Sequence, residues 1–303
     1  MDQSDKCPLA DKPPLAIEVD QLSKTFGKTQ ALSNVSLQAA PGEMVALIGP
    51  SGSGKSTLLK HLSGLHISDD SSGYVRALEK TVQISGDLNT KIRHIRADIG
   101  FIFQQFNLVG RLSLLKNVLA GMLSQVPIWR SLFGWFTYSE KYTAVQALAK
   151  VGMAEYAAQR ASTLSGGQQQ RAAIARALVQ KANVILADEP IASLDPESSR
   201  KVMRMLRKVN RENKITVLVS LHQVDFAMQF CDRCVGLRNG QIVYDGPSSE
   251  LTTAILQNLY GTEFCDVEEG LDIYSKIKKK KNEEIDRDDT CIEVNMPVPQ
   301  LAP

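Results

Sequence analysis

No run of apolar residues in this 303-residue chain approaches the ~20 needed to span a bilayer; the longest, such as 45–48 and 215–221, fall far short. Net charge is nearly absent as well, +2 from 35 basic and 33 acidic side chains, so composition gives no reason to expect a nucleic-acid partner. The opening Met1-Asp2-Gln3-Ser4-Asp5 lacks the basic-then-apolar profile of a secretory signal. The expectation is a chain that folds in the cytosol and meets any membrane through a partner. Cysteine is scarce, five in all, and an odd, scattered set predicts reduced thiols. Cys231-Asp232-Arg233-Cys234 is a lone pair with no second pair or histidines at ligand spacing, and reads as two small core residues. What is left is a composition 43% hydrophobic and 22% charged, enough to bury an α/β core with a subdomain.

One stretch organises the rest. Gly49-Pro50-Ser51-Gly52-Ser53-Gly54-Lys55-Ser56-Thr57 lies between the apolar Met44-Val45-Ala46-Leu47-Ile48 and the helix-like Leu58-Leu59-Lys60-His61-Leu62. Glycines there let the backbone approach a ligand and turn successive N–H groups onto phosphate oxygens. Lys55 supplies a cation for the terminal phosphates and Ser56 a hydroxyl for Mg²⁺, at a helix N-terminus that favours anions.

Other candidates follow along the chain. Residues 1–14 read as a flexible leader, and 263–303 as a tail without fixed structure, carrying a lysine-rich run at 276–281. Phe26, in Lys24-Thr25-Phe26-Gly27, reads as a loop aromatic that either stacks on a flat ligand ring or packs. Gln104, past the short buried strand Ile99-Gly100-Phe101-Ile102-Phe103, either reaches a metal or water or is a solvated amide. Residues 112–160 read as helical, with one stripe at Leu112, Leu115, Val118 and Leu119. A second helix is expected to be capped by Ser139, with Tyr142, Val145 and Leu148 on one face. Between these helices Trp129-Arg130-Ser131-Leu132-Phe133-Gly134-Trp135-Phe136 holds both tryptophans, as a local mini-core or a docking patch.

Leu164-Ser165-Gly166-Gly167-Gln168 opens another helix with a good cap and bare N–H groups, a second candidate phosphate-binding terminus or simply a capped helix. Val184-Ile185-Leu186-Ala187 is a buried-strand pattern ending in Asp188-Glu189, adjacent carboxylates that need a cation. Asp188 then suits Mg²⁺ or its water, and Glu189 suits accepting a proton from an attacking water. Ser193-Leu194-Asp195-Pro196 reads as a turn into a helix capped by Asp195. His222 lies just past the strand pattern Ile215-Thr216-Val217-Leu218-Val219, on the expected side of Lys55, Asp188 and Glu189. Asn239-Gly240 marks a hairpin turn.

Taken in this order, the motifs across about 17–260 resemble an ATP-binding-cassette ATPase. The resemblance implies a P-loop NTPase of the α/β class: a RecA-like parallel core, an antiparallel β subdomain and an inserted helical subdomain at about 105–175, all within 15–262. It makes Phe26 the adenine-stacking aromatic, where tyrosine is usual, Gln104 the lid glutamine, and Leu164, Ser165, Gly166, Gly167 and Gln168 the signature motif. Asp188 becomes the metal-associated acid, Glu189 the catalytic base, Ser193, Leu194 and Asp195 the dimer-contact loop and His222 the switch. It further implies ATP and Mg²⁺, and a head-to-tail homodimer in which Ser165 and Gly167 of one protomer face the γ-phosphate held by Lys55 of the other. Within the family the stretches 100–109, 129–133 and 184–196 are most similar to the ATPase subunit of phosphonate importers. That implies two permease subunits, a periplasmic phosphonate-binding protein and a place on the cytoplasmic side of the inner membrane; phosphite, polar amino acids or another oxyanion are the alternative cargoes, and a non-transport cassette the alternative role.

Overall fold

The computed structural model describes residues 14–70 and 72–261. The leader expected at 1–14 and the tail at 263–303 therefore lie, apart from Pro14, outside the described residues. Ile17–Phe26 (β1) and Thr29–Ala39 (β2) make an antiparallel hairpin, and Met44–Ile48 (β3) follows the Pro41-Gly42 turn. Lys55–Leu62 (α1) leads to Tyr74–Ala77 (β4), Lys80–Ile84 (β5) and Asp87–Leu88 (β6). Ile92–Ala97 (α2) and Ile99–Ile102 (β7) precede a helical insertion of Leu114–Leu119 (α3), Ile128–Leu132 (α4), Tyr138–Lys150 (α5) and Gly166–Val179 (α6). The chain returns through Val184–Ala187 (β8), Pro196–Asn213 (α7), Thr216–Ser220 (β9) and Val224–Phe230 (α8). It closes with Arg233–Arg238 (β10), Gln241–Pro247 (β11) and Thr253–Tyr260 (α9).

Two sheets result. One is antiparallel, ordered β2-β1-β4-β5-β6; the other runs β11-β10-β3-β9-β8-β7, parallel from β10 to β7 with β11 antiparallel at its edge. The central strands β3 and β8 are apolar without a break because both faces are covered. Alternate side chains divide between two cores: Met44, Ala46, Ile48, Ile185, Ala187, Val217 and Val219 face the helical side, while Val45, Leu47, Val184, Leu186 and Leu218 face α1 and the antiparallel sheet. With β3, β8 and β9 parallel and adjacent, their C-terminal ends emerge together, and the residues that follow them meet there.

Several local expectations shift. Lys24 and Phe26 are the end of β1 rather than a loop, since their backbones pair with Leu32 and Thr29. Leu112 precedes α3, which Ser113 caps. Thr137 rather than Ser139 caps α5, because Glu140 three positions on completes a reciprocal capping box with it. The buried face of α5 is Ala144, Ala147 and Leu148; Tyr142 is exposed. The strand expected at 74–78 stops at Ala77, where Leu78 and Glu79 turn back with φ of 52° and 63°.

Candidate nucleotide site

The loop at 49–57 packs so tightly that two of its glycines are required. A Cβ on Gly49 would lie 2.1 Å from the Leu237 carbonyl oxygen, and one on Gly54, at φ 106°, would lie 2.6 Å from that of Ala31. Gly54 starts α1 without a side-chain cap, so the first N–H groups of that helix face the loop's own cavity. The cavity, about 130 Å³, is lined by Ala31, by residues 51–57 and by Glu189. Lys55 is buried, and its ammonium donates to the carbonyls of Gly49 (2.7 Å) and Pro50 (2.9 Å).

Two strand ends complete this side. Ser56 Oγ donates to Asp188 Oδ1 at 2.7 Å, and Ser220 Oγ, at the end of β9, donates to the same oxygen at 2.9 Å. Ser220 Oγ also accepts the Glu189 N–H at 2.8 Å. Glu189 holds φ 47°, a left-handed conformation that costs a residue with a side chain about 1–3 kcal/mol and gathers at functional sites. His222 Nε2 lies 2.5 Å from Glu189 Oε1. That hydrogen bond holds the Glu189 carboxyl below its ordinary pKa against the upward push of burial, with the charges of His222 and Lys55 acting in the same direction. Glu189 is therefore ionised, the form able to accept a proton.

Ser56 and Asp188 are placed to share a cation. No cluster of three or more His, Cys, Asp or Glu side chains able to hold a metal occurs among the described residues. A pair this sparse in protein ligands suits Mg²⁺, which keeps several waters and takes phosphate oxygens.

The other candidates stand apart. The signature segment caps its own helix: Ser165 Oγ accepts from Gln168 N–H, and the Gln168 side chain accepts from Ser165 N–H. Leu164 is buried, Ser165 exposed. Gly166 lies against Leu194 and the Phe106 ring, and Gly167 against Ser198, so this segment rests on the loop of Ser193, Leu194 and Asp195 and not on the cavity. Asp195 caps α7 through its hydrogen bonds from Glu197 and Ser198 N–H. Gln104 is exposed and makes no side-chain hydrogen bond to Ser56 or Asp188. Phe26 does not line the cavity; it is 44% exposed, edge-on to His66 at 5.5 Å. Cys231 and Cys234 are both buried, and burial raises both thiols, Cys234 to about 12.

Sequence reasoning missed two residues. Ser220 carries a readable signal, since a hydroxyl ending a buried strand on the ligand side of an α/β sheet is where a site residue belongs. Tyr260 carries none: its hydroxyl accepts the Gly49 N–H at 3.1 Å from 211 positions away and reaches the His222 carbonyl at 3.5 Å.

Comparison with known proteins agrees with this geometry. The family profile described as "ABC transporter" matches residues 32–192. The "Phosphonates import ATP-binding protein PhnC 1" of Cupriavidus metallidurans is 62% identical over 249 residues, 82% of this chain and 88% of that protein. A protein of the same name from Pseudomonas aeruginosa is 58% identical over 248 residues, 82% of this chain and 89% of its own length. Among solved structures, a dimeric ATP-binding cassette in a post-hydrolysis state with ADP and Pi superposes with TM-score 0.67 at 34% identity, covering 77% of this chain and 98% of its own. The ADP conformation of another ABC transporter cassette gives 0.69 at 26%, covering 84% and 99%. The chain belongs to the ABC transporter family, as one of its ATP-binding, ATP-hydrolysing subunits.

Proposed function

We propose that this chain hydrolyses ATP to drive import of phosphonates, as a homodimer beneath two permease subunits on the cytoplasmic side of an inner membrane, fed by a periplasmic phosphonate-binding protein. The cargo reading is supported by the names of relatives that are 58–62% identical over four-fifths of the chain. The mechanism is carried by one observation: Lys55, Ser56, Asp188, Glu189 and His222 converge at the ends of β3, β8 and β9.

In this reading the N–H groups of 49–57 cradle the β- and γ-phosphates, and Lys55 exchanges its carbonyl partners for phosphate oxygens. Ser56 and Asp188 would hold Mg²⁺, which neutralises phosphate charge when bound. Glu189 takes the proton of the attacking water, and His222 fixes that carboxylate. Phe26 presents a ring to adenine. Gln104 and the helical insertion at about 105–175 carry the movement to the permease. Ser165 and Gly167 act on the γ-phosphate of the second protomer, and Ser193, Leu194 and Asp195 meet that protomer. The hairpin at 129–136, with Trp129 55%, Phe133 67% and Trp135 64% exposed, has the character of a docking patch and not of a mini-core.

The test is ATP hydrolysis by the subunit reconstituted with its permease and binding protein, with and without methylphosphonate. Phosphonate stimulation, and a fall of about a thousandfold in Glu189→Gln with ATP binding kept, is the expected result. A response only to another solute overturns the cargo, and near-normal turnover in Glu189→Gln overturns the base.

A further inference from the structure

The segment that follows Gln104 is held in an unfavourable shape. Phe106 and Asn107 are successive left-handed residues, with φ of 59° and 47°, and for a bulky side chain such as Phe106 that conformation is a true outlier. Local bonds supply little to offset it: Phe106 N–H donates to the Phe103 carbonyl at 3.1 Å and Asn107 N–H to that of Gln105 at 2.6 Å. The compensation comes from α6. Arg176 donates from Nη1 to the Asn107 carbonyl at 2.6 Å and from Nη2 to the Phe106 carbonyl at 3.4 Å. Among the described residues this guanidinium has no carboxylate partner, and burial alone lowers its pKa. The planar fork presents its two Nη groups to the two carbonyls in one fixed geometry, which an ammonium on a flexible stem does not preset.

The Phe106 ring ties the same turn to the signature helix a second time. A Cβ at Gly166 would come within 3.5 Å of Phe106 Cζ and 3.3 Å of Leu194 Cδ2, so the ring, the signature segment and the dimer-contact loop meet at one point.

We propose that Arg176 is a positioning residue that fastens the Gln104 segment to the signature helix, so that the group offered to the chain's own ATP and the groups offered to its partner's ATP move as one body. This rests on the nucleotide-site reading above. Closing two cassettes around ATP then requires no separate ordering of the Gln104 segment, because α6 brings it along. Losing the clamp leaves the strained turn free to relax, and Gln104 no longer tracks α6.

The experiment uses the full-length chain and Arg176→Lys, which keeps the charge and loses the fork. The expected result is a fall of about tenfold in kcat with KM for ATP changed less than about twofold, because misplacement of a site group weakens the chemical step more than ground-state binding. Asn107→Gly added to Arg176→Lys should recover most of that loss, since glycine holds φ 47° without help. A merely structural arginine would not be rescued at this backbone position. Unchanged kcat, a loss that Asn107→Gly does not recover, or loss of ATP binding itself overturns the proposal. Should Arg176→Lys fold poorly by thermal melt, Phe106→Ala, which removes the ring and spares the arginine, must give the same fall in kcat at constant KM or the proposal fails. Failure of the underlying site reading shows separately, as turnover surviving in Glu189→Gln.

Discussion

Lys55, Ser56, Asp188, Glu189 and His222 are joined by hydrogen bonds to one another or to the loop that carries them, around a cavity open to a phosphate. Ser165 and Gln168 bond to each other, Gly166 and Gly167 face Phe106, Leu194 and Ser198, and none of these residues lines the phosphate-loop cavity. The first region is finished within the chain because strand ends of one parallel sheet are rigid and adjacent. The second is a well-capped helix terminus that does not line that cavity. Such a terminus still attracts anions, and in the head-to-tail pair proposed above that anion would be the partner's γ-phosphate.

Complementation between the two regions is the strongest way to break this comparison. Lys55→Ala disables the first, and Ser165→Asp the second. Aspartate remains a good cap, so α6 stays formed while a carboxylate faces the phosphate, and each variant alone should lose about a hundredfold or more in turnover. In a mixed dimer both lesions fall in one composite site and the other is intact. Mixing the two purified variants should therefore restore ATP hydrolysis well above either alone. No restoration at any mixing ratio means that the two regions do not act in trans.

A smaller effect sharpens the account of the first region. In the folded chain the His222 hydrogen bond lowers the Glu189 pKa, so the ionised base is present above the ordinary glutamate value and is lost only as pH falls through the lowered one. His222→Ala removes the bond and leaves burial, which raises the pKa. The acidic limb of the pH profile of kcat/KM for the residual activity should then move to higher pH. A limb that stays in place would mean that His222 does not set the state of Glu189.

The first region was also the more legible in the sequence. Gly49, Lys55, the Asp188-Glu189 pair and His222 each announce themselves by residue type and by place at the end of a strand pattern. Asn239-Gly240 likewise fixed a turn, at φ 51° and 75°. The turn at Leu78-Glu79 was hidden, since neither residue favours the left-handed conformation it takes. α2 was hidden because only Ile92 and Ile95 mark its apolar face. The Thr137 cap was readable from Glu140 three residues on, though Ser139 competed for the same role. Tyr260 and Arg176 were beyond reach, because each acts across scores of residues that pattern alone does not bring together.

The smallest expected effect concerns what holds the second region up. The helical insertion could be stabilised by its aromatic hairpin or by the buried stripe of α3, α5 and α6. Trp129 meets Trp135 edge-on and Phe133 lies tilted against it, at 6.4 and 5.7 Å between ring centroids, yet all three stay more than half exposed. Arg130 pins the hairpin through its ion pair with Glu140 at 2.6 Å, so the rings do not have to pack inward for the loop to keep its shape. Leu114, Val118, Ala144 and Leu148 are by contrast fully buried. Trp129→Ala with Phe133→Ala should therefore shift the unfolding free energy from urea titration by no more than about 1 kcal/mol, the scale of exposed substitutions. Leu148→Ala should cost about 2–5 kcal/mol as a cavity in the same insertion. Equal losses would make the hairpin a core after all, whereas a stable double variant that no longer assembles with the permease would give those exposed rings their use.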